Sequence, residues 1–224
     1  MKKGKTNTVF KSELFQKQRV GVQKIKDEAV TIVHSPNHRG FKGTEFITNA
    51  INDLKGEGLK INYILLEKVS NEEVWHLLTS EADILVEQII FTGYAMSGLE
   101  GMASGIPVLS NLDNNNIVAL FRRYSYLNEC PIVSTTPESV KGNLRRLITN
   151  PGLRKQLGKA NRAYLEKYHS YAAFVALFGE IERKVWNNDP KNDAMNFYKP
   201  TNMDSYNNKQ PIVRHPLQKN RLPD

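Results

Sequence analysis

The chain has 224 residues, of which 40% are hydrophobic and 24% are charged, and its formal net charge is +8. This length suits one domain with appendages, or at most two small ones, and it allows a core that needs no disulfide or metal staple. The single cysteine, Cys130, excludes a disulfide framework and a zinc ribbon. No apolar run is long enough to span a bilayer, and the basic N-terminus lacks the apolar region of a signal peptide.

The positive charge is concentrated at the two ends of the chain. Residues 1–29 contain eight Lys or Arg against three acids, residues 187–224 contain six against four, and residues 30–186 contain 17 against 16. The net charge by itself would favour a nucleic acid or an anionic membrane as partner. Its distribution instead indicates a nearly neutral domain at 30–186, between a basic N-terminal arm or linker and a polar tail. The tail is rich in Asn and Pro, and we expect it to be disordered because it cannot bury enough apolar surface to order itself.

Apolar runs and turn residues between 30 and 186 predict strands that alternate with helices. The predicted strands are at 30–34, 61–67, 82–88, 107–110 and 131–134. The predicted helices are at 44–58, 70–80, 96–105, 116–127, 136–149 (with Thr136 as N-cap), from 151 onwards and from 170 to 186. This alternation predicts an α/β fold with a doubly wound parallel sheet. In such sheets, ligands bind beyond the carboxyl ends of the strands.

The loop after the first strand, residues 34–45, reads HSPNHRGFKGTE. Its Arg39 and Lys42, together with the free amides of the following helix, would converge on an anion, for which a phosphate is the best match. The loop is neither a Walker loop nor GxGxxG, and a solvated turn with basic decoration explains the same residues equally well. His34 could contact a phosphate, but a histidine at a strand end is more often packed and hydrogen-bonded.

A second loop, within residues 87–110, is rich in glycine. Its glycines would let the backbone approach a ligand closely. The amides near Ala95–Ser97, at the start of the predicted helix, could bind a diphosphate. Glu100 could accept two hydrogen bonds from a vicinal diol such as a ribose. In isolation, an acid that complements the helix dipole is the commoner explanation for Glu100.

The two loops, in this order and spacing, resemble the C-terminal, nucleotide-sugar-binding domain of GT-B glycosyltransferases of family 4, or group 1. HRGFKGTEFI is similar to the short Arg/Lys-Gly phosphate loop of that family, and ADILVEQIIFTGYAMSGLEGMASGIPV is similar to its LEAMA stretch. The segment CPIVS to EKYHS is similar to the final strand and paired helices. The resemblance extends over roughly residues 30–186 and implies a single Rossmann-like domain without its N-terminal partner domain.

The resemblance also implies roles for individual residues. Lys42, with Arg39, would neutralise the donor diphosphate next to Gly43, and Glu100 would bind the nucleotide ribose. The second loop would hold the distal phosphate and the donor sugar through Gly93, Tyr94, Ala95, Met96 and Ser97. The turn that begins at Glu67 and ends at Val69 would border the nucleobase.

Two positions depart from the family pattern. The first acid of the Glu–seven residues–Glu motif would be at position 92, which is Thr92 here, and the nearest upstream acid is Glu87. The pair Glu87-Gln88, followed by Gly93-Tyr94-Ala95, is similar to a variant of the family that has an Asp-Gln pair and a Gly-Tyr-Gly-like loop instead. The arginine of the phosphate loop commonly lies five residues before the lysine, which is Asn37 here, whereas Arg39 is three residues before Lys42.

The implied reaction is transfer of a sugar, with retention, from a UDP- or GDP-sugar to a glycan or lipid-linked acceptor, as in surface polysaccharide synthesis. No Asp-x-Asp motif occurs, so we expect no metal and no other cofactor. We expect a cytoplasmic protein that can contact an anionic membrane peripherally and has no specific nucleic acid partner. Only about 29 residues precede the first strand, so we expect the N-terminal acceptor domain to be missing and supplied in cis or in trans. The alternatives are a non-catalytic nucleotide-binding or regulatory module and one subunit of a split glycosyltransferase.

Overall fold

A computed structural model describes residues 29–113, 116–119, 126–187 and 209–223. The described strands are β1 (Val30–His34), β2 (Ile61–Leu65), β3 (Ile84–Thr92), β4 (Val108–Asn111) and β5 (Val133–Ser134). The helices with defined bounds are α1 (Arg39–Lys42), α2 (Thr44–Gly56), α3 (Asn71–Ser80), α4 (Met96–Ala103), α5 (Val140–Thr149), α6 (Pro151–His169) and α7 (Tyr171–Trp186). None of the helices in these ranges combines the length and the apolar character that crossing a bilayer requires.

The strands form one sheet in the order β2-β1-β3-β4-β5, and all neighbouring pairs are parallel. This arrangement confirms the predicted doubly wound α/β fold. The chain passes from β1 outwards to β2, then returns to the other side of β1 with β3. The strand order therefore reverses between β1 and β3, and the carboxyl ends of these two strands border the crevice in which such folds bind ligands.

Alternate residues of the strands contribute to two apolar cores. Ile32 and Ile84 pack with α2 and α5 on one face, and Val33 and Leu85 pack with α3, α4 and α6 on the other. All four side chains are fully buried. Since both faces of the sheet are covered, its strands contain continuous apolar runs rather than an alternation with polar residues.

The ends of some elements differ from their predicted positions. β3 continues four residues beyond its predicted end, because Thr92 still pairs with Asn111 across an irregular register. α5 begins at Val140 rather than at Thr136, because the backbone N–H of Thr136 donates to Ser139 Oγ at 2.8 Å and residues 137–139 form a turn. The predicted helix at 116–127 is helical at 116–119, and residues 120–125 lie outside the described ranges.

The structure contradicts the prediction that the tail is disordered throughout. Residues 209–223, hereafter the C-terminal segment, pack on the domain, and Val213, Leu217 and Leu222 are each only 7% exposed. Leu217 and Leu222 join the core of α2 and α5, and Val213 joins the opposite core. The prediction was wrong because it considered only whether the tail has enough apolar residues to form a core of its own. Val213, Leu217 and Leu222 are instead buried in the two cores of the domain. Residues 1–28 and 188–208 lie outside the described ranges.

Asn220 anchors the C-terminal segment at the edge of the sheet. Its carbonyl oxygen accepts from the N–H of Ser134 at 2.7 Å, and its Nδ2 donates to the carbonyl of Cys130 at 2.7 Å. The backbone of Asn220 has a φ of 65°, in the left-handed region that Asn tolerates better than most residues. Arg221 adds an ion pair with Asp113 at 3.2 Å. The segment therefore adjoins β5, the last strand of the described sheet.

Candidate functional site

The two loops singled out by their sequence meet at the crevice between β1 and β3. One leads from β1 into α1 and α2, and the other leads from β3 into α4. Lys42, at the end of α1, and Ser97, in the first turn of α4, both donate to the same carboxylate oxygen, Oε1 of Glu87; the Ser97 contact measures 3.1 Å. A lysine ammonium and a helix N-terminus therefore lie side by side at the carboxyl ends of the strands.

Lys42 and Glu87 form a buried ion pair. Their side chains are 8% and 0% exposed. Lys42 also donates to Gln88 Oε1 at 2.9 Å, and the second oxygen of Glu87 accepts from Ser110 Oγ at 2.9 Å. These contacts compensate the removal of both charges from water. Within the described ranges, the two acceptors occupy two of the three N–H groups of the ammonium, which leaves the third for a ligand oxygen.

An irregularity in β3 lets two consecutive residues reach the same lysine. Neighbouring side chains of a regular strand point to opposite faces. Between Val86 and Gln88, however, the pairing of β3 with β4 shifts its register. Such a bulge re-aims side chains, and here both Glu87 and Gln88 contact Lys42. Gln88 also donates from Nε2 to the carbonyl of Gly93 at 3.1 Å, which ties the second loop to the same cluster.

Gly43 lets α1 pack tightly against β3. It ends α1 and precedes α2 with a φ of 76°, which favours glycine. A Cβ atom at this position would lie 2.5 Å from Cγ1 of Ile89. A larger residue would therefore displace α1 from β3, and Lys42 from Glu87 with it. The structure thus gives Gly43 a packing role in the site.

The first turn of α4 offers backbone donors to the crevice. The helix begins at Met96, and its N-cap, Ala95, has no side chain that could cap it. In the described part of the chain, the N–H groups of Met96 and Ser97 have no acceptor, as is typical at a helix start. The N–H of Gly93, in contrast, donates to the carbonyl of Asn111 at 2.8 Å. The amides that can meet an anion therefore belong to the helix start, not to Gly93.

Tyr94 packs inward, although it lies within the predicted phosphate and sugar loop. Its hydroxyl is 3.2 Å from the hydroxyl of Tyr164 on α6, and its ring meets that of His169 edge-on, with 6.5 Å between the centroids. Burial lowers the pKa of His169 to about 4. Tyr94 therefore joins the loop to α6 through its side chain.

Glu100 lies one turn after Ser97 on α4. Residues three apart share a face of a helix, so its carboxyl lies on the same side of α4 as the hydroxyl that contacts Glu87. The side chain is half-buried, and this burial raises the pKa of its carboxyl. In the ranges that the structure describes, no Lys or Arg pairs with Glu100. Its oxygens remain available to hydroxyl donors of a ligand.

Arg39 lies at the rim of the crevice and pairs with carboxylates other than Glu87. Its exposed guanidinium forms ion pairs with Glu45 at 2.7 Å and with Glu67 at 2.8 Å. Hydrogen bonds to these two carboxylates raise the pKa of Arg39. Glu67 and Val69 follow β2 and are exposed. The structure thus brings Arg39 together with Glu67, in the turn predicted to border a nucleobase.

Two further residues near the crevice have structural partners. His34 is fully buried; its Nδ1–H donates to the carbonyl of Val86 at 2.8 Å, and its Nε2 accepts from the hydroxyl of Thr44 at 2.9 Å. Burial lowers the pKa of His34 to about 4. Thr92, which the resemblance aligns with the first acid of the family motif, is 8% exposed and ends β3. His34 is therefore a packed, hydrogen-bonded histidine, the commoner of the two alternatives that its sequence position allowed.

The sequence reasoning noted the pair Glu87-Gln88 but did not predict that both residues contact Lys42, or that Ser110 joins them. A signal for them exists in the run ILVEQII, where an acid and an amide interrupt an otherwise apolar strand. A carboxylate in a buried strand needs a cation or several donors as partners. That signal indicates that a partner exists, but it does not identify Lys42 among the many basic residues of the chain.

The fold and the site define a doubly wound α/β domain with a cation and a helix N-terminus at its switch point. The sequence model of the family described as "Glycosyl transferases group 1" matches residues 46–164, more than half of the chain. The chain therefore belongs to the group 1 glycosyltransferases, which confirms the resemblance, and its parallel sheet agrees with a GT-B C-terminal domain. Glu87, Ser97 and Glu100 lie within the matched segment, and Lys42 lies just before it. No curated protein matches the chain.

Proposed function

We propose that the chain binds a UDP- or GDP-sugar in the crevice between β1 and β3, and that its sugar is transferred with retention to a glycan or lipid-linked acceptor. One observation carries the proposal: Lys42 Nζ and Ser97 Oγ both bond Glu87 Oε1, so that a buried ammonium adjoins a helix N-terminus. Both groups favour negative charge. They would stabilise the charge that develops on the leaving diphosphate as the bond to the anomeric carbon breaks.

The remaining residues have distinct roles in this proposal. The free amides of Met96 and Ser97 hold the distal phosphate, and Glu100 accepts hydrogen bonds from the ribose hydroxyls. Arg39 and Glu67 lie at the rim, where the nucleobase binds. The new bond forms between the acceptor oxygen and the anomeric carbon, and the leaving diphosphate takes up the acceptor's proton. No base from this chain and no metal takes part.

The acceptor is held by a separate domain, supplied in cis or in trans, that closes over the crevice. The reaction contributes to surface polysaccharide synthesis at the cytoplasmic face of a membrane. The resemblance to GT-B enzymes supports these assignments, and so does the position of the site, since it lies at the open carboxyl ends of the strands. A transfer assay with and without a candidate acceptor domain tests them, and transfer by the chain alone would contradict the need for that domain.

Isothermal titration calorimetry with UDP, GDP and their sugars tests the donor site. Lys42→Met should weaken diphosphate binding roughly 10- to 100-fold, because it removes a charge-assisted hydrogen bond. Lys167→Met is a matched control, since Lys167 is also a buried lysine, 6% exposed, and pairs with Glu129 at 2.8 Å outside the crevice. No heat with any of these ligands at millimolar concentration would contradict the donor site. If Lys42→Met and Lys167→Met weaken diphosphate binding equally, Lys42 is not part of the donor site.

A further inference from the structure

We propose that Glu87 is a resident counter-ion that competes with the donor's diphosphate for Lys42 and thereby limits the affinity of the site for nucleoside diphosphates. This inference rests on the proposed function and concerns the regulation of the same site. It gives Glu87 a role that acts through another residue, rather than by contact with the donor.

The contacts of Glu87 exclude a direct role on the donor sugar. Its side chain is fully buried. Oε1 accepts from Lys42 and from Ser97, and Oε2 accepts from Ser110 at 2.9 Å. With both oxygens occupied and shielded from solvent, Glu87 does not take the place of the acid that the family has at position 92. Its influence on a ligand must therefore pass through the groups that it holds, above all the Lys42 ammonium.

The charges around Lys42 are closely balanced. Glu87 on β3 cancels the charge of Lys42 at hydrogen-bond distance. His34 on β1 also faces Lys42, and its pKa of about 4 keeps it neutral at physiological pH. Arg39 on α1 is balanced by Glu45 and Glu67. Among the described groups, a diphosphate in the crevice thus meets the partial charge of the α4 N-terminus and a lysine that already has a counter-ion.

This balance reduces the gain from binding a diphosphate. The third N–H of Lys42 can reach a phosphate oxygen, but the attraction of the ammonium is opposed by the repulsion of the carboxylate that is bonded to the same ammonium. Without Glu87, the apo protein would hold a buried ammonium with no counter-ion, and the diphosphate would supply one. Removal of the carboxylate should therefore tighten diphosphate binding. In the native protein, the opposing charge weakens the hold on UDP or GDP and so favours its release after transfer.

Calorimetry of Glu87→Gln tests the inference with UDP and GDP, and with uridine and guanosine as probes that lack phosphate. We expect the diphosphates to bind at least about tenfold tighter and the nucleosides to bind as before. Damage to the fold lowers affinity, so a gain separates this role from a merely structural one. In the Lys42→Met background, Glu87→Gln should bring no gain, because the two residues act as one unit.

The outcomes separate this inference from the proposed function. Equal or weaker UDP and GDP binding by folded Glu87→Gln, with binding by the native protein intact, overturns the inference alone. No binding by either protein overturns both. Loss of one partner of a buried pair can unfold a domain. If Glu87→Gln does not fold, Glu87→Asp keeps the charge but withdraws it from Lys42 by one methylene, and we expect a gain of about two- to fivefold. Absence of that gain overturns the inference as well.

Discussion

Replacement of Asn220 by alanine should destabilise the domain, because it detaches the C-terminal segment from β5. The side chain of Asn220, which is 2% exposed, donates to the carbonyl of Cys130 at 2.7 Å and lies 3.4 Å from that of Ile132. Alanine removes this donor from a buried site. It also has to adopt a φ of 65°, without the polar side chain that lets Asn adopt it at low cost.

The expected loss is the sum of these two effects. Loss of a buried hydrogen bond costs about 1–3 kcal/mol, and the left-handed conformation costs alanine about 1–2 kcal/mol. We therefore expect the free energy of unfolding to fall by about 2–5 kcal/mol, which lowers the Tm of a domain of this size by roughly 4–20 °C. Asn220→Gly removes the same donor but is free of the backbone strain. It should be less destabilising than Asn220→Ala by about 1 kcal/mol.

Urea unfolding followed by circular dichroism measures both variants. Lys219→Ala is the matched control, since Lys219 precedes Asn220, has a φ of 49° and is exposed. It should change stability by less than about 0.5 kcal/mol. If Asn220→Ala behaves like this control, the C-terminal segment does not contribute to the folded state in the way described. If Asn220→Gly is as unstable as Asn220→Ala, the strain argument is wrong.

Two further predictions concern packing and pH. Gly158→Ala should lower the free energy of unfolding by about 3 kcal/mol or more, because its Cβ would lie 2.0 Å from the carbonyl oxygen of Gly105. Gly142→Ala, whose Cβ would meet no atom within 4 Å, should instead stabilise α5 by up to about 1 kcal/mol. Similar thermal melts of the two variants would contradict this difference. His34 and His169 have a pKa of about 4 when folded and about 6.5 when unfolded, so the unfolded chain binds more protons between these values. The contribution of these neutral histidines to the free energy of unfolding should be fully present above pH 6.5. It should be lost as the pH falls towards 4, by up to about 3 kcal/mol per histidine. In urea unfolding, the stability of His34→Gln should therefore decline less steeply with falling pH than that of the native protein.

The fold was predictable because its signals are local. Apolar runs such as 30–34 and 82–88 are short and buried on both faces, and the helices between them show helical spacing and identifiable caps. Ser70 and Glu73 form a capping box at the start of α3, where a helix was predicted from residue 70, and Asn150 caps α6 before Pro151. These signals act within a few residues of each other. The start of α5 was misplaced because Thr136, although a good capping residue, bonds Ser139 in a preceding turn.

The site was predictable only in part. The loops that carry Lys42 and Ser97 follow strands, and the carboxyl ends of parallel strands share one edge of a sheet, so their proximity follows from the fold. The partner of Lys42 does not follow from it. That Glu87 and Gln88 both reach the lysine depends on a register shift in β3, and no sequence pattern marks that shift. Arg39 has the residue type and loop position of a phosphate ligand, yet the structure pairs it with Glu45 and Glu67.

The sequence alone determined the alternation of strands and helices, the family and the two loops at the crevice, because each depends on residues close together in the chain. The tertiary structure decided which charges meet. It placed Glu87 against Lys42, and it placed Leu217 and Leu222 of the C-terminal segment in a core whose other residues lie at least 60 positions earlier in the chain. Such contacts depend on distances between remote residues, and these distances exist only once the sheet has assembled its register and the helices have covered both of its faces.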